Sequence, residues 1–108
     1  MAAIVSFPVF KPGKSYSTGV LTVSGTGKTM TVLQARTSRS GGFVQNLGTS
    51  TLAVYEGDGA SSSVLSSILV GGSTDDDGMG GVHVINNYTG IVTVYGDNPR
   101  CCASERYS

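Results

Sequence analysis

Apolar residues in this chain come in short runs separated by clusters of Gly, Ser, Thr, Asn and Asp, and several runs alternate with polar residues. That grammar belongs to strands and turns. The stretch from Arg36 to Glu56 shows it most clearly: Phe43 to Leu47 is one apolar run, Gly48 to Ser50 a turn, and Leu52 to Tyr55 a second run. Gly, Asn and Ser supply the backbone angles and local hydrogen bonds of a reversal, while β-branched and aromatic residues suit a pleated, half-buried surface. The pattern therefore predicts a β-hairpin.

Ahead of it, Ala3 to Phe10 reads as extended, with Val5, Phe7 and Val9 on one side and Ile4, Ser6 and Pro8 on the other. Pro8 has no N–H for a ladder, so the segment is a sheet edge or an arm lying on something else. Its apolar residues, Ile4, Val5, Phe7, Pro8, Val9 and Phe10, are the first candidate contact set. Lys11 to Lys14 reads as a turn, Val20 to Ser24 as a strand, and Lys28 to Arg36 as a longer strand. The hairpin entry, Thr37 to Gly42, carries Arg36 and Arg39 in a loop of small residues, the most flexible cationic point of the chain and the second candidate contact.

After Glu56, a polar loop from Gly57 to Ser63 leads into Val64 to Val70, whose spacing also fits one side of a helix. Its internal serines and the following Gly71-Gly72 favour a strand. An acidic glycine loop covers Gly71 to Gly81, and Val82 to Ile85 and Ile91 to Tyr95 read as strands around a turn at Asn86 to Gly90. Asp97-Asn98-Pro99 then turns the chain into its last segment, Arg100 to Tyr107. About eight strands at spacings of about 8 to 12 residues, without a convincing helix, predict an all-β fold: an antiparallel β-sandwich or jelly roll. Residues 1–12 form the arm or edge strand in this reading, and residues 13–108 a single domain.

Composition narrows the function classes. Charged residues make up 13% of the 108 positions, seven basic and seven acidic, against about 25% in ordinary domains. A neutral balance gives no pull toward nucleic acid or an anionic membrane, so neither is an expected partner. Sixteen glycines suggest disorder, but 39% hydrophobic residues in short Val, Ile and Leu runs argue for a packed core. No apolar run approaches the roughly 18 residues of a membrane helix, and Met1-Ala2-Ala3-Ile4-Val5 lacks a basic region and a signal-peptide core, which leads us to expect a protein made in a cytoplasm. Asn87-Tyr88-Thr89 matches a glycosylation acceptor that has no weight without secretion. Cys101 and Cys102 are adjacent, and a disulfide between neighbours is strained, so two reduced thiols are expected.

Several motifs invite chemistry. Ser24-Gly25-Thr26-Gly27-Lys28-Thr29 looks like the end of a phosphate-binding loop, but Thr22 stands where the first Gly belongs and a strand-like run follows in place of a helix. Asp75-Asp76-Asp77-Gly78 is a candidate calcium loop, set against the plainer reading of a solvated loop, because consecutive carboxylates diverge and no later Glu follows at calcium-loop spacing. His83 is the one histidine, and no Ser, Cys or Asp is assigned to it by spacing, so it reads as a surface or interstrand residue. Two thiols and a distant histidine do not make a zinc site. The five tyrosines offer a sugar-stacking platform or, more plainly, core-edge packing. We expect no catalytic residues, no cofactor and no metal.

The run R-x-x-x-F-V-Q-N-x-G-T-x-x-L-x-V from Arg39, then D-D-G-x-G-G at Asp76 to Gly81, Y-T-G at Tyr88 to Gly90 and Pro99-Arg100, resembles a group of small virion proteins of tailed bacteriophages. The resemblance spans about Arg36 to Arg106, and its motifs are mostly turn residues. It implies a structural protein of the virion: a head decoration or cement protein, often a homotrimer, that binds across subunits of the major capsid protein and stabilises the head. Cys101-Cys102 departs from the aromatic residue expected after Pro-Arg, and residues 2–28 have no counterpart. The other expectation is a receptor- or glycan-binding domain of a tail fibre or spike, using exposed Tyr and Asn in loops such as Asn86-Asn87-Tyr88. The lack of heptads or repeats ahead of it favours decoration.

Overall fold

The computed structural model describes residues 13–108. Eight strands appear: β1 (Lys14–Thr22), β2 (Lys28–Leu33), β3 (Arg39–Asn46), β4 (Leu52–Tyr55), β5 (Ser67–Leu69), β6 (Val82–Asn86), β7 (Val92–Gly96) and β8 (Arg100–Tyr107). They form two four-stranded antiparallel sheets, ordered β1-β8-β3-β6 and β2-β7-β4-β5. Within them β1 pairs with β8, β2 with β7, β3 with β6 and β4 with β5, as in one long antiparallel ribbon folded at its middle. Rolling that ribbon up brings β3 against β8 and β4 against β7. This is the strand order of a jelly roll, and the expected all-β antiparallel sandwich is what forms. Among the described residues no helix is long and apolar enough to cross a membrane.

The core lies between the sheets. Val44, Ile85, Cys101 and Ala103 of the first sheet face Val32, Leu33, Leu52, Val54, Leu69, Val92 and Val94 of the second. Each fully buried Val or Leu contributes about 1.5–3 kcal/mol. Alternation decides the sides: in β8, Cys101 and Ala103 are buried while Cys102 and Ser104 are half-exposed. The outer face of the second sheet is partly roofed by the loop after β4. There Thr93 Oγ donates to the Gly57 carbonyl and accepts the Ala60 N–H, and Thr29 Oγ donates to the Ala60 carbonyl.

The hairpin expectation is corrected. Its two strands exist, but β3 and β4 lie in different sheets, so Leu47 to Thr51 is an arch between sheets. The cause is Asn46, a buried side chain whose amide donates to the carbonyls of Ser50, Leu69 and Val70 and whose oxygen accepts the Gly48 N–H. It holds the chain in a corner where a hairpin turn would have sent it straight back. Other boundaries shift too. β1 begins at Lys14, within the expected turn, because its polar first half pairs with the end of β8, and β2 stops at Leu33, short of Arg36. Val64 to Val70 contributes a strand, as expected, but only over Ser67–Leu69.

Candidate functional site

Among the described residues the outer face of the β1-β8-β3-β6 sheet is open. Its register gives three rows across the sheet: Val20–Cys102–Gln45–Val82, Ser17–Ser104–Phe43–Val84, and Ser15–Arg106–Gly41–Asn86. Arg106 is the one charge in those rows. Phe43, Val82 and Val84 make an apolar cluster, 39%, 49% and 60% exposed. A shallow groove of about 470 Å³ runs beside it over Gly41 and Gly42, between Phe43, Val84 and Ser104. The sequence hid this face because Val82 to Ile85 reads as nearly continuous apolar residues, which conceals which side is out.

The expected cationic loop is corrected. Arg39 opens β3, and its side chain has no exposed surface. Its Nε donates to Glu105 Oε2 at 2.6 Å, Nη1 to the carbonyls of Tyr88 and Gly90, and Nη2 to that of Gln34. Burying a charge is costly unless it is paired and hydrogen-bonded, and here four hydrogen bonds let the guanidinium clasp one end of the sandwich. No side remains for a partner molecule. Arg36 donates to the other Glu105 oxygen at 2.6 Å, is 37% exposed, and stacks 3.8 Å from the ring centre of Tyr107. Tyr107 pairs in register with Lys14, so Arg36 lies at the end of the sandwich where the described chain begins. Ile4, Val5, Phe7, Pro8, Val9 and Phe10 lie outside the described residues.

The glycine motif has no free phosphate cradle. Gly25 N–H donates to Asn98 Oδ1 and Gly27 N–H to Asp97 Oδ1, and Lys28 opens a strand. The acidic loop likewise satisfies itself. Arg100 donates twice to Asp76, while Asp77 accepts the N–H groups of Ser73, Thr74 and Met79. Among the described residues no three metal-binding side chains converge. The hydrogen bond from Arg100 lowers the Asp76 pKa, and those from Met79, Thr74 and Ser73 lower that of Asp77. A lowered native pKa means the stabilisation is fully present above the ordinary aspartate value of about 3.9 and is lost as pH falls through the native values. The 71–81 loop should therefore keep slow amide exchange down through the ordinary aspartate range and loosen only below it. Loosening already at about pH 5 would show that these bonds do not hold it.

Adjacent Cys101 and Cys102 point to opposite faces of β8. Burial pushes the Cys101 thiol up to about 12, with a smaller push from Cys102, whereas Cys102 is half-exposed on the open face. Iodoacetamide should add once to the native protein, at Cys102, and twice after unfolding. Two adducts on native protein would contradict that burial.

His83 has a partner that spacing did not reveal: Nδ1 lies 2.7 Å from Ser67 Oγ on β5, joining edge strands of the two sheets. Its Nε2 lies 3.9 Å from Glu56 Oε2, and both atoms are buried without a hydrogen bond. The grooves open elsewhere. Tyr88, expected in a sugar-binding loop, is partly buried against the core with its hydroxyl donating to the Ile91 carbonyl. Tyr95 instead lines a groove of about 520 Å³ on the outer face of the second sheet, with Ala53, Ile68, Ser50, Ser62 and Asp97.

No family model, curated protein or solved structure matches the chain.

Proposed function

We propose that this chain is a structural protein of a tailed-bacteriophage virion, a head decoration or cement protein that binds across major capsid subunits and stabilises the head. The observation that carries the reading is the outer face of the β1-β8-β3-β6 sheet, where Phe43, Val82 and Val84 are exposed and Arg106 is the one charge in the three rows around them. A capsid offers the same surface many times, so a weak contact repeated over a lattice gains from multivalency. The resemblance over about Arg36 to Arg106 points the same way. A jelly roll alone does not, because one fold hosts many functions.

In this reading the protein is made in the host cytoplasm and ends on the capsid surface, with no reaction, cofactor, nucleic acid or membrane involved. Ile4, Val5, Phe7, Pro8, Val9 and Phe10 are the main contact, through strand addition or apolar docking. Arg36 supplies a cation at the end of the sandwich where the described chain begins. Heads lacking the protein should release DNA at lower temperature than complete heads, and added protein should restore them while protein without residues 1–10 does not. Equal heat tolerance with and without the protein would contradict the reading.

One observation favours a second reading, a glycan-binding domain of a tail fibre or spike. The groove over Ala53 and Tyr95 combines an aromatic side chain, the Asp97 carboxylate and serine hydroxyls, the groups that stack on and hydrogen-bond a sugar. Glycan-array binding lost in Tyr95→Ala would favour it over decoration.

A further inference from the structure

Each sheet ends in two edge strands, and an edge presents unpaired N–H and C=O groups that accept another strand unless something blunts it. Three of the four edges here are blunted. β1 carries Lys14 and a bulge between Ser17 and Val20. β2 carries Lys28 and a bulge between Thr31 and Leu33. β5 is three residues long. β6 has none of these devices: Val82–Asn86 holds no Pro, no Lys and no break in its register with β3. Its His83 side chain is tied to Ser67, and among the described residues only its entry is covered, where the Gly81 N–H donates to the Val70 carbonyl.

The ladder phase shows which groups are free. The Asn46 N–H donates to the Gly81 carbonyl, so Gly81, His83 and Ile85 turn their carbonyls toward β3. In an antiparallel ladder alternate residues turn the other way, which among the described residues leaves Val82, Val84 and Asn86 with backbone groups on the open side. The side chains of Val82 and Val84 stand on the exposed face beside them.

We infer that β6 is the interface with a second copy of this chain, pairing antiparallel with its own equivalent about Val84. A two-fold contact of this kind needs a self-complementary strand, and β6 is one. Val84 meets its equivalent, Val82 meets Asn86 of the second copy, and no Lys, Arg, Asp or Glu stands on the strand to repel its like. A formal net charge of zero opposes association with no long-range repulsion. The two four-stranded sheets become one continuous sheet, and Phe43, Val82 and Val84 of both copies join in one apolar strip. The assembly is a dimer in place of the trimer the resemblance implies, and the inference does not depend on the capsid reading.

The test is native mass against concentration for the wild type and Val84→Lys, with amide hydrogen exchange read in parallel. The wild type should reach twice the 11.0 kDa of one chain, and the Val82, Val84 and Asn86 amides should slow as the dimer fills. Val84→Lys should stay at the mass of one chain and melt as the dilute, monomeric wild type does, without the rise in melting temperature with concentration that dimerisation gives the wild type, since an exposed edge Lys disturbs no core contact. A single-chain mass at every concentration, a trimer, or a dimer in which those three amides exchange as fast as in the monomer would overturn the inference. Should Val84→Lys fail to fold, the wild-type amide exchange decides alone.

Discussion

Replacing Glu105 with alanine lowers the stability of the folded protein by about 3–5 kcal/mol, the usual consequence of leaving one member of a buried ion pair without its partner. Glu105 is 3% exposed and accepts from two arginines, one of them fully buried. Without the carboxylate, the Arg39 guanidinium keeps its carbonyl partners at Gln34, Tyr88 and Gly90 but remains a desolvated cation. Arg36 matters less, because its charge reaches solvent. The measurement is urea unfolding, with the midpoint read at constant slope. A double replacement, Arg39→Met with Glu105→Leu, should recover most of the loss, since an apolar pair of similar volume is often no worse than a buried ion pair. A loss below about 1 kcal/mol in the single variant would mean that the pair behaves as an exposed one.

Asn46→Ala should cost about 2–4 kcal/mol, because each buried polar group left unpaired costs about 1–3 kcal/mol. The carbonyls of Ser50 and Leu69 lose this donor together, while the Val70 carbonyl keeps the Gly81 N–H and the Gly48 N–H keeps the Arg100 carbonyl. The effect should spread beyond the arch. The 71–81 loop is bonded onto it through Gly72 N–H to the Gly48 carbonyl and Asp76 N–H to the Leu47 carbonyl. Gly80 approaches so closely that a Cβ there would meet the Asn46 carbonyl, and one on Gly71 would meet that of Thr49. Amide exchange should therefore quicken at Gly72 and Asp76 as well as at Gly48. If Gly48 alone responds, the arch and the loop are not one unit.

Asn46 also shows where sequence reading stopped. Apolar runs and turn residues announce where strands lie, since alternation and backbone freedom are local properties. Val82 to Ile85, Ile91 to Tyr95 and Arg100 to Tyr107 were legible for that reason, to within a residue or so of β6, β7 and β8. Pairing is not local. A short Gly- and Ser-containing turn serves a hairpin or an arch equally well, and the choice here rests on hydrogen bonds from Asn46 to Leu69 and Val70, far along the chain. The polar half of β1 was invisible because it is held by pairing with β8 rather than by burying its own side chains.

The candidate site divides in the same way. Arg39 among small residues reads as a loop cation, and only Glu105, distant in sequence, turns it into a buried clasp. Ser67 and His83 meet across two sheets, which no spacing encodes. The glycine and aspartate motifs were legible as weak. Their amides and carboxylates are occupied by Asn98, Asp97, Arg100 and the loop backbone. The open face over Phe43, Val82 and Val84 became visible only once the register assigned each side chain a side.

Cosedimentation of the purified protein with tailed-phage capsids from its own source tests the proposed capsid reading most directly. Saturable binding at a fixed ratio to the major capsid protein, weakened by Phe43→Asp or by removal of residues 1–10, is the expected result. Failure to bind capsids at any concentration, with attachment to host cells instead, would contradict it and make the groove over Tyr95 and Asp97 the site to mutate.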